Sequence, residues 1–274
     1  MRFSFLQRSD DAASVDKVGI GSGAFHSSID NASLCTLLLC LGLSFYSIYQ
    51  DYVAFINLGP GGTPSNFLGY LRVSCLRVLA LRNPYVPPAL SIALQPKTGY
   101  LPGRRPDLPK RVGPRPQVTG IAPQRQTTQK GSAANLAALL HEIRALPVAY
   151  PDSLRLGTSC FEKHETALFS LFPVNRTCSG EICHAHPSDA SLHMTLHPAD
   201  ARMVLERGWG QRHPLAKGGW FTRFVPVGFV MVYAPRSPAE LEVVMDVIHA
   251  AAWWVSGQAL DRAGDGSGTG PKGC

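Results

Sequence analysis

The stretch "GEICHAHPSDASLHMTLH", residues 180 to 197, decides how the chain is read. "EICHAH" (181–186) and "SLHMTLH" (191–197) have the composition of short strands, and "PSDA" between them has that of a turn. The reading is a β-hairpin. Successive strand residues point to opposite faces, so His184 and His186 look one way while Cys183 and Ala185 look the other. On the second strand His193, Thr195 and His197 share a face opposite Leu192, Met194 and Leu196. Paired across the turn, the two strands turn their apolar residues to a core and line the other side with histidines. His186 and His193 are then near cross-strand neighbours.

Working outward, "ALFSLFP" (167–173) and "FVMVY" (229–233) read as further strands. From about Ser132, "NLAALLHEIRAL" places Leu136, Leu139, Leu140, Ile143 and Leu146 at helical spacing, with His141 on the surface. "PADARMVLERG" is a short helix with Pro198 in its first turn and Gly208 as its stop. The last helix opens on the capping box Ser237-Pro238-Ala239-Glu240, and Leu241, Val244, Ile248, Ala251 and Val255 recur along one face before Gly257. Hairpin-joined strands mixed with helices predict an α+β fold, a single domain at 132–257 with a mainly antiparallel sheet packed by helices.

Upstream, residues 1–31 are polar and expected to be disordered. "ASLCTLLLCLGLSFYSIY" (32–49) carries no charge over eighteen residues. At ~1.5 Å rise per residue it covers most of a ~30 Å hydrocarbon layer and reads as a transmembrane anchor. In 50–131 come "SNFLGYLRVSCLRVLAL" (65–81), with Ser65 as N-cap, and then a basic arm. That helix is expected either to lie at the membrane interface or to pack on the body. Ten prolines from Pro84 to Pro123 make the arm an extended segment that wraps the body or links it to the anchor. The tail, 258–274, is expected to be disordered.

The net charge of +7 sits mostly in that arm, at Arg104, Arg105, Lys110, Arg111, Arg115, Arg125 and Lys130. No aromatic-interleaved basic motif accompanies it, so the expected partner is anionic membrane lipid and not nucleic acid. Seven scattered cysteines without a CxxC pair exclude a disulfide framework and structural zinc. Cys178 and Cys183 are close enough to pair, yet reduced thiols are the expectation. Reduced thiols and the basic arm together put the body on the cytosolic side of a single-pass anchor. The sequons at Asn31 and Asn175 matter only on the lumenal side. Oligomeric state is not encoded.

The histidines allow three readings: a solvated strand face, a metal centre, or acid/base chemistry without a metal. His184 and His186 with Glu181 or His193 have the donor types of an iron or zinc site. Two imidazoles at close range seldom both protonate near neutral pH, so one remains a base. "GWGQRHPLA" (208–216) adds Trp209 as an apolar wall, with Arg212 and His213 as a cation and a titratable group. "YAPRSPAE" sets Arg236 at a helix N-terminus, where backbone N–H groups favour an anion.

Together these segments resemble the fungal luciferases, which oxidise 3-hydroxyhispidin, and their relatives in non-luminous fungi. "EICHAH", "SLHMTLHPAD", "GWGQRHPLA" and "VYAPRSPAELEVV" carry the likeness. It extends through "FEKH" (161–164) and "RPQVTGIAPQRQ" (115–126) to "DYVAFINLGPGGTPSNFLGYL" (51–71), and so from about Ala32 to Gly257. The resemblance implies an endoplasmic-reticulum membrane anchor and an oxygenase that uses O2 as co-substrate with no cofactor. It carries over Glu162, His164, Glu181, His184, His186, His193, Arg212, His213 and Arg236 as catalytic residues, with Trp209, Tyr233 and Phe229 walling the substrate pocket. In the implied chemistry a histidine deprotonates a 3-hydroxy-2-pyrone and the arginines hold the enolate and then the peroxide. An endoperoxide then loses CO2, with or without light. Cys183, where the family has a small alanine, and "GGWFTRFVPVGF" (218–229) depart from the luminous pattern and leave substrate and light open.

Overall fold

The computed structural model describes residues 30–260. The expectations for the first 29 residues and for 261–274 lie outside the described residues. The chain divides into two compact units between Ser47 and Ile48.

Helix α1 (Asn31–Asn57) begins where Asp30 accepts the Ser33 N–H at 2.7 Å, and it runs eight residues past the end expected at position 49. It is long and apolar enough to cross a membrane. Its first part, up to Ser47, is the first unit, with exposed Leu38, Leu39 and Phe45.

The second unit is built on a six-stranded antiparallel sheet. Its strands are β3 (Leu154–Thr158), β4 (Thr166–Ser170), β5 (Glu181–Ala185), β6 (Leu192–Thr195), β7 (Gly210–Arg212) and β8 (Phe229–Val232), in the order β3-β4-β5-β6-β8-β7. The expected hairpin is β5–β6. Alternation sends Cys183, Ala185, Leu192, Met194, Val230 and Val232 into the main core. That face is covered by α4 (Ala133–Ala149), α5 (Pro198–Glu206) and α6 (Pro238–Ser256). The predicted α+β fold with an antiparallel sheet is the one observed.

Local signals placed the two ends of α6 correctly. Ser132 Oγ accepts the Asn135 N–H at 3.1 Å to open α4. Ser237 Oγ accepts the Glu240 N–H at 3.3 Å, and the Glu240 carboxylate closes the box one residue early, on the Arg236 N–H at 2.9 Å. Gly257 ends α6 at φ +74°, a conformation that costs glycine nothing. Helix α2 is Phe67–Val78, and its cap is Asn66, whose Oδ1 accepts from Gly69, rather than Ser65. It packs on the body through Tyr70 and Val73, while Leu68, Leu71 and Val78 are exposed.

The proline-rich arm wraps the body. It contains a short helix, α3 (Tyr100–Arg104), and a two-stranded hairpin, β1 (Val118–Gly120) with β2 (Gln124–Gln126), instead of being extended throughout. Leu101 and Leu108 are fully buried in the main core, and Asp200 of α5 accepts the N–H groups of Tyr100 and Leu101 at 3.0 and 2.8 Å. The thiol expectation is corrected. Cys160 and Cys178 form a disulfide with Cα atoms 6.0 Å apart, whereas Cys183 is free and buried because strand alternation turns it into the core.

Candidate active site

The opposite face of the sheet carries the histidines. His184, not His186, is the direct cross-strand partner of His193, and His186 lies on the diagonal. His193 Nδ1 is 3.1 Å from His186 Nε2 and 3.3 Å from His184 Nε2. Strict alternation would send Glu181 to the core face, three residues from His184. Between β4 and β5, however, Leu168 pairs with Cys183 and Phe169 with Glu181, so Ile182 is an extra, bulged residue. The bulge returns Glu181 to the histidine face, where Oε1 stands 2.5 Å from His184 Nδ1.

Glu162 closes the cluster from the loop before β4. Its Oε1 is 3.7 Å from His186 Nε2 and 3.9 Å from His184 Nε2. Ser159 Oγ accepts the Glu162 N–H and donates to Glu181 Oε1, each at 3.0 Å, so the two carboxylates share one loop anchor. Arg125 of β2 donates to both Glu162 oxygens, at 2.7 and 3.2 Å, and to the Pro60 carbonyl at 2.6 Å.

The outer ring nitrogens assign the tautomers. His184 Nδ1 faces the Glu181 carboxylate. His186 Nδ1 is 2.9 Å from Ser191 Oγ, whose own hydrogen goes to Asp189 Oδ1 at 2.5 Å, so this hydroxyl accepts from the histidine. His193 Nε2 is 2.9 Å from Gln124 Oε1. Each outer nitrogen therefore carries the hydrogen, and His184 Nε2, His186 Nε2 and His193 Nδ1 point inward as lone pairs. Burial holds His193 well below the usual imidazole range, with its histidine neighbours adding to the effect, and burial likewise lowers His186. Burial opposes ionisation of Glu162, but the Arg125 guanidinium, by hydrogen bond and charge, outweighs it and keeps that carboxyl below its ordinary range. At neutral pH the His186 and His193 rings are neutral beside the Glu162 carboxylate.

A cavity of about 460 Å³ ends on this cluster, with Glu162, His193, His213 and Gln124 among its lining. Its walls are apolar: Phe229 stacks on His193 with ring centroids 5.1 Å apart, and Phe161 lies 4.5 Å from Phe229. His213 Nε2 donates to the Ile121 carbonyl at 2.9 Å and its Nδ1 accepts from the Leu215 N–H at 3.1 Å. Both nitrogens are occupied and burial pushes the ring down to about 4, so His213 is a neutral wall and not a base. The Gln124 side chain is buried, and its amide nitrogen has no partner.

Of the residues expected from the sequence, the structure brings Glu162, Glu181, His184, His186, His193, His213 and Phe229 together. The others lie elsewhere. His164 is exposed, 3.8 Å from Glu165. The terminal nitrogens of Arg212 donate to the carbonyls of Val86 and Ala216 while its buried Nε has no partner and the residue does not line the cavity, and Arg236 is taken up by Glu240, Gln129 and the Val112 carbonyl. Trp209 belongs to the main core, with its N–H on the Pro109 carbonyl. Tyr233 is fully buried against Arg111 and donates to Gln211. His197 turns away to cap α5 and to meet the Pro96 carbonyl. The sequence reading missed Arg125, Gln124, Phe161, Asp189 and Ser191. The segments "RPQVTGIAPQRQ" and "PSDA" held the signal, since a polar run that folds over a histidine face supplies its partners.

The loop that carries Phe161 and Glu162 depends on Gly62, where an added Cβ would sit 2.1 Å from the Phe161 carbonyl oxygen. Gly62→Ala is expected to cost about 1–3 kcal/mol through overpacking. Thermal unfolding measures that cost, and the same variant is expected to lose activity as Glu162 shifts.

Residues 179–251 match the luciferase domain family. The chain is 33% identical over 246 residues to the luciferase of Neonothopanus nambi, across 84% of this chain and 89% of that protein. It is 32% identical over 265 residues to the luciferase of Armillaria mellea, across 90% and 95% of the two. No solved structure matches. With a third of its residues shared along nearly the whole length of these relatives, the chain belongs to the fungal luciferase family.

Proposed function

We propose that this protein is an oxygenase that adds O2 to a hydroxylated 2-pyrone of the 3-hydroxyhispidin kind. The carrying observation is the apolar cavity lined by Glu162 and His193 of the cluster and, beside His193, by Gln124, whose amide N–H has no partner. A flat, largely apolar ring fits the walls, and the cavity volume is in the range that holds a small organic ligand. Loss of the hydroxyl proton makes the pyrone electron-rich enough to reduce O2. Gln124 would then donate to the oxyanion, a role the sequence reading had given to Arg212 and Arg236. Both oxygen atoms enter the substrate as a peroxide, which closes on the lactone carbonyl and expels CO2. O2 is the oxidant and no organic cofactor enters. Phe161 and Phe229 would exclude water from the peroxide.

The test supplies purified protein with 3-hydroxyhispidin under air and follows O2, CO2 and light. Equal uptake of O2 and release of CO2 is expected, and neither occurring would overturn the substrate. Light reports separately whether the product emits.

The same reading makes α1 a single-pass anchor in a membrane of the endoplasmic-reticulum type, with lipid as partner. Cavity-lining Leu79, Trp220 and Phe224 are exposed, beside Arg72, which suits a mouth at a lipid surface from which an apolar substrate enters. The Cys160–Cys178 disulfide favours an oxidising lumen over the cytosolic side expected from the basic arm. Protease treatment of sealed microsomes tests this: a protected body supports the lumenal side.

A further inference from the structure

We propose that Glu162, His184, His186 and His193 bind one divalent first-row transition-metal ion, through Glu162 Oε1, His184 Nε2, His186 Nε2 and His193 Nδ1. These four buried atoms all lie within 4.8 Å of one another. Each is a hydrogen-bond acceptor with an electron pair to donate. With the outer ring nitrogens donating to Glu181, Ser191 and Gln124, no N–H is left among the inward atoms to join them. One proton shared between His186 and His193 would still leave His184 Nε2 and Glu162 Oε1 facing each other across 3.9 Å. A metal ion satisfies all four at once.

Spacing, charge and surroundings agree with this. Ligands about 2.0–2.2 Å from a tetrahedral ion stand roughly 3.3–3.6 Å apart; four of the six separations here, 3.1, 3.3, 3.7 and 3.9 Å, bracket that range, and all six are within 4.8 Å. Three buried carboxylates, Glu162, Glu181 and Asp189, meet a single guanidinium, that of Arg125, so a divalent ion balances the buried charge. Three imidazoles with one carboxylate suit iron, zinc, copper or nickel better than calcium or magnesium. Every ligand also has an outer partner that fixes it: Glu181 on His184, Ser191 backed by Asp189 on His186, Gln124 on His193, and Arg125 on Glu162 Oε2. Glu162 and His193 line the cavity, whereas His184 and His186 do not, so the cavity approaches the cluster from one side.

The proposal departs from the cofactor-free chemistry expected from the sequence. It rests on the oxygenase reading only for what the ion does: a bound divalent ion would acidify a coordinated hydroxyl and hold the resulting anion.

The test titrates chelator-treated full-length protein in detergent with cobalt(II). It follows visible ligand-field absorption, with atomic emission for stoichiometry and far-ultraviolet circular dichroism for folding. One cobalt per chain is expected, with the absorption lost in folded His186→Ala and His193→Ala. Ser191→Ala is expected to weaken binding ~10–100-fold without changing the stoichiometry, and it carries the test if the histidine variants do not fold. Folded wild-type protein that takes up no stoichiometric cobalt, iron or zinc overturns the site. Unchanged absorption in folded His193→Ala overturns it too. O2 uptake on 3-hydroxyhispidin by protein shown to be metal-free would overturn the metal and keep the oxygenase reading. Stoichiometric metal without that O2 uptake would keep the metal site and overturn the substrate.

Discussion

His193→Ala is expected to slow oxygenation by ~10²-fold or more. Among the three clustered histidines, His193 alone lines the cavity, and its Nδ1 is the atom nearest to both His184 and His186. Removing it takes away an inward lone pair, the ring that stacks on Phe229 and the partner of Gln124. Single-turnover O2 uptake measures the loss, and near-native circular dichroism separates it from unfolding. His164→Ala and Arg236→Ala are the contrasting variants, because both side chains lie outside the cluster and the cavity. They are expected to leave the single-turnover rate within about twofold. A large loss in either would return those residues to the chemistry and undo the site drawn here.

Arg125→Met is expected to destabilise the body by ~3–5 kcal/mol, because it leaves the Glu162 carboxylate buried without its guanidinium. Both side chains are less than a tenth exposed, so water cannot take over. For a body of this size the melting temperature falls by roughly 6–20 °C, and scanning calorimetry of chelator-treated protein reads it directly. The double variant with Glu162→Gln removes the stranded charge and is expected to recover part of the loss. If the double variant melts no higher than Arg125→Met alone, the cost comes from lost packing and the ion pair is not the cause.

How far the site was legible follows from how far apart its parts lie in the chain. The hairpin, its two faces and the caps of α6 depend on residues within a few positions of one another, and all were readable. Glu181 is an intermediate case. Its proximity to the histidines was plain, but alternation alone puts it on the wrong face, and only the bulge at Ile182 reverses that. Arg212 and Arg236 were persuasive as cations near a histidine cluster, yet what a guanidinium does depends on which carbonyls and carboxylates the fold brings to it. Here Arg236 is held by Glu240 and Gln129, and the terminal nitrogens of Arg212 by two carbonyls away from the cavity.

By itself the sequence determined the antiparallel hairpin, the apolar and histidine faces, the long apolar helix and the family, since each is written in spacing or ordered motifs. Tertiary structure alone decided which groups meet. Gln124 reaches His193 across 69 residues and Arg125 reaches Glu162 across 37. It also decided that Cys160 pairs with Cys178, and that Trp209 and Tyr233 serve a core and not a pocket. The reason is physical. Side-chain direction and capping are set by local backbone geometry, whereas a buried polar group takes whichever partner long-range packing presents, and staying buried without one costs free energy.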